Sequence, residues 1–182
     1  LQDYYDTGLF LDHRDVRAYL RDLAAGRDFL NLFAYTGSAS VYAAAGSARS
    51  TTTVDLSQTY LDWAAANLAR NGFPASRHQL LRSDCLRFVR QERRRYGLIF
   101  LDPPTFSNSK AMVDTLDIQR DHVALIRDTA RLLTPDGVLV FSTNATKFRL
   151  DEAGLGDLRV RDITRATLPL DFSRTPRIHQ VF

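Results

Sequence analysis

Two hydrophobic patterns alternate along the chain. Short runs rich in leucine, β-branched and aromatic residues recur at 29–33 (FLNLF), 51–55 (TTTVD), 79–83 (QLLRS), 98–102 (LIFLD) and 138–142 (VLVFS). Between them lie longer stretches whose apolar positions repeat at helical spacing, at 14–25, 38–46, 57–71, 85–95 and 117–134. Short continuous apolar runs bounded by turn residues read as buried strands, and the longer periodic stretches as amphipathic helices. The punctuation agrees. Thr36–Gly37 closes the first strand, Asn71–Gly72 ends the helix begun at Ser57, and Pro135–Asp136–Gly137 turns into the fifth strand. The alternation predicts a parallel sheet covered by helices on both faces.

The tail breaks this rhythm. Residues 159–168 (RVRDITRATL) alternate in period two, and 178–182 (IHQVF) read as another strand with no helix between. Two strands without a crossover pair antiparallel, or one enters the sheet in reverse. The expectation is an α/β, Rossmann-like, mostly parallel seven-stranded sheet with a reversed C-terminal strand. That describes a class I methyltransferase fold better than a dinucleotide dehydrogenase.

In open sheets of this kind, ligands sit beyond the carboxyl ends of the strands. The first strand is followed by FAYTGSAS (33–40), where Gly37 permits a close backbone approach and Ser38 can cap the next helix. One glycine does not make a pyrophosphate loop of the G-x-G-x-x-G type. Asp55 ends the second strand, where an acid can accept from ribose hydroxyls, or can cap the helix near Ser57. Asp84 ends the third, where a carboxylate can take an exocyclic amino group or again cap a helix. Together these features match an adenosine pocket, and the missing second glycine points toward S-adenosylmethionine.

The fourth strand ends in LDPPTFSNS (101–109). A proline pair cannot continue a ladder. It holds the backbone of Asp102, Pro103 and Pro104 stiff toward an incoming base, on which Phe106 can stack. The competing reading has Phe106 filling core.

The 182 residues, 45% of them hydrophobic, are enough for one domain with a full core. No apolar run is long enough to span a bilayer. The opening LQDYYDTGLF carries neither a basic n-region nor an apolar h-region, so no signal peptide is expected. It also lacks an initiator methionine, and the domain is expected to be excised from a longer chain. A lone cysteine, Cys85, excludes an internal disulfide framework and fits a reducing compartment. No metal is expected. The 24 cationic residues are arginines apart from Lys110 and Lys147. Arginine suits bidentate phosphate and base-edge contacts, so a nucleic-acid partner is admitted. A coding bias explains the same excess, and a net charge of +3 does not decide.

The segments GLFLDHR (8–14), FLNLFAYTGSASVYAAAGSA (29–48), TTTVDLSQTYLDWAAANLARNGF (51–73), LIFLDPPTFSNSK (98–110) and IQRDHVALI (118–126) carry a resemblance over nearly the whole chain. They resemble the C-terminal K half of the bacterial bifunctional large-subunit ribosomal RNA methyltransferases (RlmKL). That resemblance implies a cytoplasmic, S-adenosylmethionine-dependent methyltransferase acting on guanine N7 in 23S ribosomal RNA. It also implies a separate N-terminal THUMP-bearing half that makes N2-methylguanine, and no membrane partner.

Matched by position, Phe33, Ala34, Tyr35, Thr36 and Gly37 would line the methionine end, and Asp55 would hold the ribose. Leu56 and Ser57 would flank the adenine, with Asp84 and Cys85 at its amino edge. Asp102 and Pro103 would face the sulfonium and the target base. Leu11, Asp12 and Arg14 resemble a strip that closes over the cofactor, with Arg14 on the methionine carboxylate or simply solvated. The domain would then comprise a closing segment and first helix (1–28) and a Rossmann-like core (29–182).

Cytosine C5 methylation needs a cysteine nucleophile, and neither DPPTFSNS nor FSTNATK supplies one. Guanine N7 carries a free lone pair and needs no base. An exocyclic amine (guanine N2 or adenine N6) would use the same loop and stays open. A nicotinamide dehydrogenase lacks its glycine loop and a proton donor. A non-catalytic RNA-binding fragment, contacting phosphate through Arg93–Arg94–Arg95, is the remaining alternative; that run also reads as a solvated helix end.

Overall fold

The computed structural model describes residues 7–107 and 115–182. The end of the LDPPTFSNS stretch, residues 108 and 109, and Lys110 lie outside them. Helix α1 (Arg14–Leu23) precedes β1 (Asp28–Leu32), α2 (Ser38–Ala45), β2 (Ser50–Asp55), α3 (Gln58–Arg70) and β3 (His78–Arg82). Then follow α4 (Cys85–Gln91), β4 (Tyr96–Leu101), the short strands β5 (Phe106–Ser107) and β6 (Leu116–Asp117), α5 (Ile118–Ala130), β7 (Leu133–Thr143) and β8 (Gln180–Val181).

The strands assemble in the order β3-β2-β1-β4-β7-β8. All neighbours are parallel except β7 and β8, whose Ser142↔Val181 and Thr143↔Gln180 register is antiparallel. The reversed C-terminal strand is therefore present. The strand order reverses between β1 and β4, because β1 pairs on one side with β2 and on the other with β4. A crevice opens at such a switch point.

Why these runs are strands is visible in how β1 and β4 divide their side chains. Phe29, Leu98 and Phe100 pack on one face with Val16 and Leu20 of α1 and Ala39 and Ala43 of α2. Leu30, Leu32, Ile99 and Leu101 pack on the other with Val89 of α4 and Leu125 and Ile126 of α5. Both faces are covered, so the strands carry apolar residues on both sides rather than alternating, and the buried Asn31 of β1 is satisfied by Ser40. Because α1 belongs to the same cluster as the central strands, residues 14–23 are part of the core rather than an appendage.

Two expectations about the chain's course are corrected. The sheet has six strands among the described residues, not seven. The segment 159–168 forms no ladder; it contributes one strand-like bond, Ile163 N–H to Val181 O at 2.9 Å, and then turns into a 3-10 helix at Arg165–Thr167. Its outer residues face solvent, so its alternation marks an edge that buries Ile163 and Thr167 and little else. The helix expected over 85–95 stops at Gln91, because the Glu92 side chain accepts the N–H groups of Arg93 and Arg94 and turns the chain into β4.

Packing between α1 and α2 is close enough to specify a glycine. A Cβ at Gly46 would run into the backbone carbonyl of Arg21. Backbone cannot yield as a flexible side chain can, so Gly46→Ala should force the two helices apart. Overpacking of this sort costs ~1–3 kcal/mol. For a domain of this length that is roughly 2–12 °C in Tm, measurable by circular dichroism. An unchanged Tm would mean that α1 and α2 have room to part.

Candidate active site

A cleft of about 850 Å³ opens beyond the carboxyl ends of β1, β2, β3 and β4. Its wall begins at the β1–α2 loop. Phe33 and Tyr35 stand in the left-handed region (φ 57° and 50°), as does Gly37 (φ 70°). Non-glycine residues with such dihedrals cost ~1–3 kcal/mol and persist only where neighbours over-determine them. Here they do. Tyr35 N–H donates to Asp55 Oδ2 at 2.8 Å, Phe33 N–H points at Cys85 Sγ at 3.2 Å, and Ala34 N–H donates to Val54 O at 3.1 Å.

Asp55 serves the far side as well, accepting from Ser57 N–H at 2.9 Å. It does not cap α3. Ser57 does, its Oγ accepting from Tyr60 N–H. Burial pushes the Asp55 carboxyl above its ordinary value, and the N–H groups of Ser57, Tyr35 and Leu56 offset only part of this. Asp84 is both a cap and a wall residue: its carboxylate accepts from Leu86 N–H at the start of α4, and it faces the cleft. Cys85 is 3% exposed, and burial drives its thiol far above the ordinary range.

At the exit of β4, Asp102, Pro103 and Pro104 line the same cleft. The loop is pinned by Thr105, whose hydroxyl donates to Asn144 Oδ1 at 2.7 Å and whose carbonyl accepts from Ile118 N–H. Phe106 follows on β5, paired with Asp117 of β6, and is 57% exposed. It fills no core.

The structure sorts the expected residues into two groups. Asp12, Phe33, Ala34, Tyr35, Asp55, Leu56 and Ser57 line the cleft, as do Asp84, Cys85 and the Asp102–Pro104 exit. Four others do not. Leu11 is 57% exposed and off the wall. Thr36 is buried behind the loop, its hydroxyl donating to Gly8 O at 2.7 Å. Gly37 is the cap position of α2, which moves Ser38 into the helix. The glycine is needed because a Cβ there would lie 2.6 Å from that of Ala64 on α3. Arg14 turns outward and pairs bidentately with Asp171 at 2.7 and 3.4 Å.

Among the described residues the arginine on the cleft wall is Arg17, one helical turn on. It is 3% exposed, donates to Phe10 O at 2.7 Å, lies over the Tyr42 ring at 5.4 Å, and leaves its Nε without a partner. The sequence carries both arginines; only the rotation of α1 distinguishes them. A buried guanidinium with an orphaned N–H on a cleft wall fits an anionic ligand group. What the sequence did not show is that His13 and His179, from opposite ends of the chain, gather on the expected Asp12. His13 and Asp12 are adjacent, but nothing local marks His179 as their neighbour.

The Arg93–Arg95 run is exposed, and two of its side chains have partners near β4. Arg94 binds Glu92 and Gln79 and stacks over Tyr96, and Arg95 reaches Leu133 O.

Residues 1–172 match the profile of the S-adenosylmethionine-dependent methyltransferases. The chain is 59% identical over 98% of its length to the ribosomal RNA large subunit methyltransferase K/L of Methylococcus capsulatus, of which it covers 24%. It is 59% identical, at the same coverage of both chains, to that of Allochromatium vinosum. The chain thus spans about a quarter of these curated relatives. Among solved structures it superposes on SMU.776, a methyltransferase complexed with SAH, with a TM-score of 0.85, 32% identity and coverage of 99% of this chain and 50% of that one. An Agrobacterium tumefaciens methyltransferase follows at TM-score 0.70 and 25% identity, with 78% of this chain and 47% of that one covered. The chain belongs to the S-adenosylmethionine-dependent methyltransferase family.

Proposed function

We propose that the chain carries out methyl transfer from S-adenosylmethionine to guanine N7 of large-subunit ribosomal RNA, without a covalent enzyme–RNA intermediate. The observation that carries the non-covalent part of this reading is the state of Cys85; the choice of N7 rests on the resemblance to the K half. It is the chain's only cysteine, it is buried at the β3 end with its thiol held protonated, and no thiol stands at the β4 exit. Cytosine C5 chemistry requires a thiolate that attacks the base. The names of the 59%-identical relatives support ribosomal RNA as the substrate. If those relatives are the guide, further domains in a longer chain accompany this one.

The cofactor supplies an electrophilic methyl group on a positive sulfonium. In this reading Asp55 accepts from the ribose hydroxyls, Leu56 and Ser57 flank the adenine, and Asp84 accepts from its amino edge. Arg17 takes the methionine carboxylate, the role that the resemblance suggested for Arg14. At N7 the attacking lone pair carries no proton, so the site needs no general base, and positioning supplies most of the rate. Asp102 would offset the positive charge that passes to the base as the N7–methyl bond forms, the sulfonium S–methyl bond breaks and the neutral thioether leaves. Phe106, exposed beside that exit, gives the base a stacking face.

Asp55→Ala should weaken SAH binding by ~1–3 kcal/mol, since it strands the groups it serves; calorimetry with unchanged affinity would remove Asp55 from the ribose role. Folded protein at pH 8 should react slowly with a thiol reagent such as a disulfide dye, and Cys85 should become reactive on unfolding. Cys85→Ser should retain methyl transfer, and a trapped adduct through Cys85 with a pyrimidine analogue would revive the C5 chemistry. Phe106→Ala should lower turnover on ribosomal RNA by roughly 5- to 150-fold, the worth of one stacking contact. Tm and SAH affinity should hold, because the ring is exposed; a fall in all three together would sink the stacking role. Mass spectrometry of the RNA nucleosides reads the methylated atom, and a product other than 7-methylguanine would overturn the N7 assignment.

A further inference from the structure

The reading above leaves one buried group on the cleft wall without a task. His13 ends the 3-10 turn Leu11–His13 and is 7% exposed. Its ring stands between two carboxylates, with Nδ1 3.3 Å from Asp12 Oδ2 and Nε2 3.7 Å from Asp102 Oδ1. Nε2 also lies 2.7 Å from Ser142 Oγ, near the end of β7. Behind it, His179 Nδ1 lies 3.2 Å from the same Asp12 oxygen, and the two rings are 5.1 Å apart. A carboxylate can only accept, so the Nδ1 of His179 carries the proton in that bond.

The groups facing His13 come from several elements. Asp12 lies on its own turn, Asp102 at the exit of β4, Ser142 on β7, Arg17 on α1 and His179 beside β8. Burial opposes a charge on the ring. Asp102 and Asp12 outweigh it against the opposing field of Arg17, and the imidazole is held above its ordinary value. Asp12 shows the complement: burial works to raise its carboxyl, and the two histidines overcome this and hold it well below the usual carboxylate range.

We infer that His13 is a positioning residue for methyl transfer: clamped from behind by Asp12, it holds the Asp102 carboxylate in place at the exit of β4. The inference rests on the role given to Asp102 above. His13 makes no bond to substrate and takes no proton from it. When protonated it sets a positive charge 3.7 Å from the Asp102 carboxylate at the reacting end of the cleft. Its own orientation is set by Ser142 in front and by the Asp12–His179 pair behind.

The sign of the pH dependence is determined by this arrangement. The charge on the ring is present below the raised His13 value and is lost as pH rises through it, and with it the hold on Asp102. Turnover should therefore have an alkaline limb that follows deprotonation of His13.

The test has two readouts on the full chain. Imidazole resonances in ¹H–¹⁵N spectra, with His13 assigned by its loss in His13→Gln, should show a midpoint above the ordinary 6.5. That midpoint should fall by about one pH unit or more in Asp102→Asn and in Asp12→Asn. A midpoint unmoved by Asp102→Asn overturns the inference, because the ring and the carboxylate would then not act on one another. In steady-state methylation of ribosomal RNA, His13→Gln keeps a donor for Ser142 but no charge. It should lower kcat roughly tenfold or more with KM for S-adenosylmethionine nearly unchanged, and should abolish the alkaline limb. Asp12→Asn should move that limb to lower pH. If His13→Gln instead lowers Tm and cofactor affinity together and leaves the limb in place, His13 is a structural residue and the inference fails. Should the native chain methylate a different atom, the N7 reading fails alone, and the spectra still decide whether His13 and Asp102 are coupled.

Discussion

One carboxylate ties the cleft together. Asp55 accepts the backbone N–H of Tyr35 with one oxygen and that of Ser57 with the other, and so joins the loop after β1 to the start of α3. The loop could not hold its shape unaided, because Phe33 and Tyr35 both sit in left-handed conformations that an isolated peptide avoids. The register of β1 on β2 sets Leu32 opposite Val54 and delivers Asp55 beside the loop. Cys85 adds a weaker hold through its sulfur on Phe33 N–H. The acid proposed to meet the cofactor therefore also keeps the wall of the cleft in shape.

The wall is completed by parts of the chain far apart in sequence. The strip Gly8–Phe10 docks on the same loop, through Thr36 hydroxyl to Gly8 O, Gly8 N–H to Tyr35 OH, and the Phe10 ring against Tyr35 at 5.1 Å. Arg17 holds Phe10 O from beneath. At the other end of the chain, Asp171 takes Arg14 and His179 takes Asp12. Strand β8 is only two residues long, and its ladder alone would be weak. These side-chain contacts, together with Ile163 and Val181 in the core cluster, secure the tail against α1. Stability of the tail and closure of the cleft rest on the same residues.

Much of this was legible in the sequence, for identifiable reasons. The five parallel strands and the helices around them follow from patterning that is strong where both sheet faces are buried, as at Leu98–Leu101. Asp55, Asp84 and Asp102 could be found because a parallel strand ends at the ligand side, and the last residue of each run points there. The reversed C-terminal strand follows from the lack of a crossover after β7. The seventh strand, over 159–168, did not form, since period-two alternation also describes an extended edge that buries one residue in several.

What sequence decided alone was the architecture, the carboxyl-end acids and the absence of a nucleophilic thiol at the β4 exit. These depend on local spacing and on residue identity. Tertiary structure decided which neighbour does what. Arg14 and Arg17 are both basic residues near the start of one helix, yet the rotation of α1 sends one to Asp171 and buries the other at the cleft. Gly37 reads as a ligand-side glycine until the approach of Ala64 shows why no side chain fits. His179 becomes a partner of Asp12 only because β8 runs back along β7. Such assignments depend on distances between residues remote in sequence, and only the packed sheet sets those distances.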